Sequence, residues 1–452
     1  YGVYYHFDYV GAPRNYKWLN TNQIEKTWQQ MDLAYARGAR ALWIVNVGDI
    51  KPMEFPISFF MKQAWNPEMM TPSALKRFPI EWSKQTFGPA QADAIADLVT
   101  RYSKFAARRK PELIDADTFM IGSLKGEVLD GGEFGLLVDD WKKLEHDMLK
   151  VKSALSHDQL AAYTQLVEYP IAAMSNLYQL FYNVALNRRL AASKDSRANF
   201  FADEAEKAFR RDQDLTDKYH QVSDGKWSGM MLQIHMGYRS WQQPDKQVMP
   251  EVIRVSAPGN DKPIHFASVS AIGNSTDVIS IEAPHFSRAF NGGGMQWQII
   301  PDLGRTEGAV ISYPQGKPAT TFQDAMRLEY DAVVSKSGDL TVQLYLAPTL
   351  DTTGRGSLRV GVSIDDREMI TLVDKLLPAP NATTLQEQRD WNNAVSDNVR
   401  VLQTIITDVN AGKHVIKIWR LDDNVVLQKI VASTQPIPLT YLGPPVADVT
   451  KH

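Results

Sequence analysis

The 452-residue chain contains no cysteine. This excludes thiolate nucleophiles, disulfide staples and cysteine-ligated zinc. It leaves the compartment open, because secreted bacterial enzymes often lack cysteine too. There is also no apolar run of about eighteen residues, the length a membrane-crossing helix needs, so no membrane partner is expected. Positive charge is not in excess: 49 Lys and Arg stand against 52 Asp and Glu, for a net charge of −3. A nucleic-acid partner would want a basic stripe, and none is expected. Walker, H-E-x-x-H and G-x-S-x-G patterns are missing. Residues 131–135 (GGEFG) are too poor in glycine for a phosphate loop, and the nine histidines lack metal-ligand spacing. Neither a metal site nor a cofactor is expected.

What is present is the composition of a globular protein, 22% charged and 44% hydrophobic, over a length that points to about two or three domains. The chain opens on Tyr1 inside what reads as a strand. The expectation is that it is the C-terminal portion of a longer polypeptide, with any signal peptide lying upstream of Tyr1.

Residues 2–7 are short, aromatic and β-branched, and read as a strand. Ile24, Trp28, Met31 and Tyr35 then recur at helical spacing, and Gly38 stands in the usual stop position. Residues 41–47 (ALWIVNV) form a continuous apolar run, as in a strand covered on both faces, and 55–65 predict another helix. This alternation fits a parallel α/β unit, barrel or open sheet. From about 72 to 219 the pattern is helical and predicts a bundle of about four to six helices. Within it Ser156–Gln159 (SHDQ) reads as a capping box, Pro170 as a kink or break, and Ile171, Met174, Tyr178, Phe181 and Ala185 as a buried face. From about Lys226 the period falls to two. Leu340, Val342, Leu344 and Leu346 alternate, as do Leu358, Val360, Val362 and Ile364. Residues 412–433 read as two strands around an Asp-Asp-Asn turn, and an antiparallel sandwich follows. Residues 291–294 (NGGG) read as a flexible loop.

Chemistry in parallel α/β folds gathers where strands end. His6, followed by Asp8 and Tyr9, stands at the carboxyl end of the first strand. Asn46 and Asp49 stand at the same end of the second. Neighbouring parallel strands would bring the two groups side by side, where a ligand can serve as partner for polar groups on buried strand ends. Each residue alone also has a structural reading: Asp8 or Asp49 as a cap, His6 or Asn46 as a satisfied polar group. Arg14 and Lys17 are either binders of an anionic group or surface ion-pair partners. The basic cluster at 107–114 (ARRKPELI) reads as neutralising terminal helix carbonyls.

Residues 4–31 (YYHFDYVGAPRNYKWLNTNQIEKTWQQM), 39–65 (ARALWIVNVGDIKPMEFPISFFMKQAW) and 107–114 resemble glycoside hydrolase family 115, the xylan α-1,2-glucuronidases. Residues 227–252 (WSGMMLQIHMGYRSWQQPDKQVMPEV) and 281–291 (IEAPHFSRAFN) are similar to later segments of that family. The resemblance implies a multidomain α/β, all-α and all-β chain. Residues 1–88 would be the last strands of a (β/α)8 barrel, 89–225 a helical bundle, and 226–452 a linker and antiparallel β-sandwich. It implies removal of (4-O-methyl)-α-D-glucuronic acid from glucuronoxylan or its oligosaccharides with inversion. That chemistry needs an acid and a base roughly 6.5–9.5 Å apart.

By matching position, His6, Tyr9 and Asn46 correspond to sugar-contacting residues. Arg14 and Lys17 could hold the uronate, and Asp8 and Asp49 are candidate bases. The catalytic acid would lie upstream of Tyr1. Trp18 and Trp65 could stack on sugar rings, with core packing the preferred reading for both. The family analogy further implies a homodimer, association with the N-terminal remainder of the same enzyme, and a secreted or periplasmic location. Two alternatives stay open: a non-catalytic carbohydrate-binding or oligomerisation fragment, and a barrel hydrolase for another acidic sugar.

Overall fold

The computed structural model describes residues 1–8, 11–12, 18–125, 127–256, 264–266, 277–349, 351–376 and 384–446. It begins with an α/β unit of β1 (Gly2–His6), α1 (Ile24–Ala36), β2 (Leu42–Asn46) and α2 (Glu54–Trp65). Gly38, at φ +95°, takes the chain out of α1, a conformation open to a residue without Cβ. β1 and β2 pair in parallel, with Gly2 opposite Leu42 and His6 opposite Asn46. The period of two sorts their side chains. Val3, Tyr5 and Phe7 pack with Trp43, Val45 and Val47 against Met31, Met53 and Phe60. The opposite face holds Tyr4, Leu42 and Ile44, which are 59%, 59% and 48% exposed. The expected covering of β2 on both faces is therefore corrected: only one face is covered by the described residues. The expected barrel is also reduced to a parallel pair. A closed barrel needs every strand paired on both edges, and among the described residues β1 and β2 pair only with each other.

Helices follow: α3 (Pro72–Phe87), α4 (Ala92–Arg108), α5 (Gly132–Lys152), α6 (His157–Tyr163), α7 (Tyr169–Ala192) and α8 (Ala198–His220). The capping box at Ser156 and Gln159 is present. The expected break at Pro170 is instead a π-helical turn, Thr164–Glu168, that runs straight into α7. Pro170 sits in the first turn of α7, where its missing N–H matters least. α7 is apolar nearly all round and lies buried in the core, as such a helix must. That core is continuous with the α/β unit through Trp18, Trp28 and Phe59. Two short strands, β3 (Leu124–Lys125) and β4 (Val128–Leu129), precede α5, and α9 (Val222–Gly225) follows α8. β5 (His265–Phe266) pairs in parallel with β4.

The remainder is a two-sheet sandwich. Its strands are β6 (Val278–Glu282), β7 (Arg288–Phe290), β8 (Gln296–Ile300), β9 (Ala309–Tyr313), β10 (Arg327–Val334), β11 (Gly338–Leu346), β12 (Leu358–Ile364), β13 (Ile370–Asp374), β14 (Arg400–Val409), β15 (Gly412–Arg420) and β16 (Leu427–Ser433), with α10 (Leu385–Asp397) before β14. One sheet runs β13-β12-β15-β10-β7. The other runs β14-β11-β16-β9-β8, with β6 also on β16. Leu340, Val342 and Leu344 of one sheet meet Val360, Val362 and Ile418 of the other in a shared core. β15 and β16 therefore belong to different sheets, so residues 421–426 cross between layers rather than form a hairpin. Asp422, Asp423 and Asn424 are consequently buried. Residues 291–294 form a tight turn, with Gly292 bridging Met295.

The basic cluster serves as a clasp rather than a dipole partner. Arg108 Nε donates to Arg305 O at 2.9 Å, and Arg109 Nη1 to Asp397 Oδ1 at 2.5 Å. Both reach the sandwich region instead of the final carbonyls of α4.

Candidate active site

The parallel register sets His6 beside Asn46 at the carboxyl ends of β1 and β2. Both lie on the face away from the Met31 and Phe60 core, and the His6 ring stands 4.4 Å from that of Tyr4. The strands stay joined one step further: Phe7 N and Asp8 N both donate to Asn46 O, at 2.8 and 3.2 Å. The Asn46 carboxamide then turns the chain, its Oδ1 accepting from Gly48 N at 3.1 Å. Gly48 has φ +66°, and a Cβ there would stand 2.8 Å from Asp8 Oδ2. Asp8 thus lies directly against the β2–α2 loop. Its carboxylate is buried, and Oδ1 meets no hydrogen-bond partner among the described residues. Asp49, the residue after that close approach, is exposed, and its Oδ2 accepts from Gln233 Nε2 at 3.3 Å.

The structure thus brings His6, Asp8, Asn46 and Asp49 to one strand edge. Tyr9, Arg14 and Lys17 lie outside the described residues. Residues from the connection after α8, not singled out as site residues in the sequence, also reach this edge. Gln233 touches Asp49, and the Lys51 ammonium lies 3.9 Å from the Trp227 ring centroid. Their segment, residues 227–252, carries the family resemblance, but nothing local places it against a loop at residues 47–53. Trp18 is buried and stacks on His235, with 3.6 Å between ring centroids. Trp65 is 91% exposed, which corrects the core-packing expectation for it: it lies at the end of α2, past the covered face.

A cavity of about 550 Å³ runs beside β1, lined by His6, Lys26, Lys110, Thr349, Trp391 and Asn398 among others. Asn46, Asp8 and Asp49 do not line it, and no carboxylate lines it among the described residues. Lys26 Nζ donates to Pro348 O at 2.8 Å, and burial pulls its ammonium down to about 7. Next to it burial pushes Glu25 up to about 8. Burial likewise pushes the Tyr5 phenol up to about 12, against a hydrogen bond with Thr27. No cluster of three or more metal-ligating side chains occurs among the described residues. Nor is any described helix long and apolar enough to cross a membrane.

A parallel strand pair thus carries imidazole, carboxamide and carboxylates at its carboxyl edge, and helices and a β-sandwich follow it. The chain belongs to glycosyl hydrolase family 115: the family model matches residues 1–113, and the model of the family's C-terminal domain matches residues 274–446. A solved structure, BtGH115A, described as a family GH115 4-O-methyl-α-glucuronidase with specificity for decorated arabinogalactans, is similar at 21% identity and a TM-score of 0.72. The match covers 96% of this chain and 51% of that one, so this chain spans about half its length. A family 35 carbohydrate-binding module from Clostridium thermocellum aligns with 34% of this chain and 97% of its own, at 14% identity and a TM-score of 0.24. An exo-β-1,3-galactanase from Phanerochaete chrysosporium aligns with 34% of this chain and 29% of its own, at 17% identity and a TM-score of 0.23. No curated protein sequence matches the chain significantly.

Proposed function

We propose that this chain supplies one wall of the active site of an inverting α-1,2-glucuronidase, which removes (4-O-methyl)-α-D-glucuronic acid from glucuronoxylan. The observation that carries this reading is the pairing of His6 with Asn46 at one strand edge, beside the orphaned, buried oxygen of Asp8. Sugars offer hydroxyl donors and acceptors on every face, and imidazole, carboxamide and carboxylate complement both. Under this reading Tyr9 joins the sugar contacts, Arg14 and Lys17 receive the uronate, and Asp8 or Asp49 activates water. The acid that protonates the leaving oxygen comes from an upstream portion of the same enzyme.

The strand pair supports that need for a companion. Its apolar face at Tyr4, Leu42 and Ile44 is exposed. An uncovered parallel pair is the kind of edge that further strands complete. We therefore read residues 1–88 as barrel strands, 89–225 as bundle, and 226–452 as linker and sandwich. The assembled enzyme is a homodimer in this reading, and it acts outside the cytoplasm.

The test is release of uronic acid from glucuronoxylan by the chain alone and by the chain joined to its upstream portion. Activity restored only in the joined form supports the reading. Oligosaccharide binding with no release in either form favours the carbohydrate-binding fragment. Preferential release from decorated arabinogalactan, or from another acidic glycan, moves the assignment to that substrate.

A further inference from the structure

Residues 226–256 connect α9 to the sandwich region without regular secondary structure. A connection of that length in a compact protein usually has a task. This one is pinned at both sides of a short exposed stretch. On one side Met231 is buried, and its N–H donates to His220 Nε2 at 3.2 Å. On the other, His235 N and Met236 N donate to Gln247 Oε1 at 2.9 and 2.8 Å. The His235 ring is held by Asp212, with Nδ1 2.9 Å from Oδ2, while Gln247 Nε2 donates to the same carboxylate at 2.8 Å. Trp18 closes the stack over His235.

Between these anchors stand Leu232, 70% exposed, and Gln233. The Gln233 amide donates to Asp49, but its Oε1 is buried with no hydrogen-bond partner among the described residues. An orphaned buried carbonyl costs about 1–3 kcal/mol. An anchored backbone holding that cost in place calls for an explanation. Asp8 Oδ1, across Gly48, is orphaned in the same way. Two acceptors thus lack donors beside the turn at Gly48 and Asp49, one on Asp8 against Gly48 and one on the side chain that binds Asp49, as a ligand bringing hydroxyl groups requires. An acidic group would be repelled by Asp8 and Asp49, so the ligand surface received here is neutral.

Resting on the glucuronidase reading and deepening it, we propose that Gln233 is a substrate-binding residue: its Oε1 accepts a sugar hydroxyl while its amide stays on Asp49. The experiment is calorimetric titration of the chain joined to its upstream portion with a glucuronoxylo-oligosaccharide. Wild type, Gln233→Leu, Gln233→Asn and Asn46→Ala are compared after thermal melts show each folded. Gln233→Leu should weaken binding about tenfold, and Gln233→Asn, which cannot span both partners, should weaken it as well. If Asn46→Ala weakens binding while both Gln233 variants stay within about twofold of wild type, this inference falls and the glucuronidase reading stands. If wild type does not bind, both fall.

Discussion

Gln29 Nε2, on α1, donates to Asn424 Oδ1 at 2.9 Å across 395 residues of sequence. Asn424 belongs to the crossing between β15 and β16, so the sandwich is locked onto the helix that backs the strand pair. The same amide donates to Gln315 Oε1 at 2.8 Å, and Gln315 Nε2 reaches Asp32 at 2.7 Å. Asp423 Oδ2 accepts from Gly316 N at 2.7 Å. Gln29, Gln315, Asp423 and Asn424 are buried, and their hydrogen bonds tie the two layers in one register.

Gln29→Leu should therefore destabilise the chain by about 1–3 kcal/mol, because it removes the amide that donates to both Gln315 Oε1 and Asn424 Oδ1 in a buried setting. Denaturant unfolding measures it. A change below about 0.5 kcal/mol would mean that water replaces the amide.

Asn46→Ala and Tyr9→Phe, in the enzyme joined to its upstream portion, should each lower activity by about tenfold or more while the chain stays folded. Near-normal rates in both variants would remove these residues from the sugar site.

Gly48→Ala should both destabilise the β2–α2 loop and displace Asp8. The new methyl group meets Asp8 Oδ2 at 2.8 Å, at a φ of +66°. The expected cost is about 1–3 kcal/mol, read by thermal melting, together with weaker oligosaccharide binding.

Glu25 gives a pH signature. Burial raises it from an ordinary 4.5 to about 8 in the folded chain. A folded-state value above the unfolded one contributes stability that is complete below pH 4.5 and lost as pH rises to about 8. Glu25→Gln keeps the neutral form at every pH. The stability of wild type relative to this variant should thus fall across that window by a few kcal/mol, at about 1.4 kcal/mol per pH unit. A flat difference would show that Glu25 is ionised in the folded chain.

Periodicity alone was enough for the order of the architecture. Spacings of three and four placed the helices. Alternation placed β11 and β12, and the long 4–31 and 39–65 blocks carried the family. His6 and Asn46 were legible as neighbours because parallel strands in an α/β unit present their carboxyl ends together, a rule of local order. Gln233 was not legible, since its contact with Asp49 spans 184 residues.

The sequence by itself determined the order of α/β, helical and strand segments, the alternation along β11 and β12, and which chemical groups end the first two strands. All of these depend on side chains close together along the chain. Only the tertiary structure decided that residues 422–424 cross between sheets instead of turning a hairpin, that Trp65 faces outward, and that the connection after α8 reaches the strand edge. Each of these outcomes depends on which distant surface a segment packs against, and spacing along a chain carries no record of that choice.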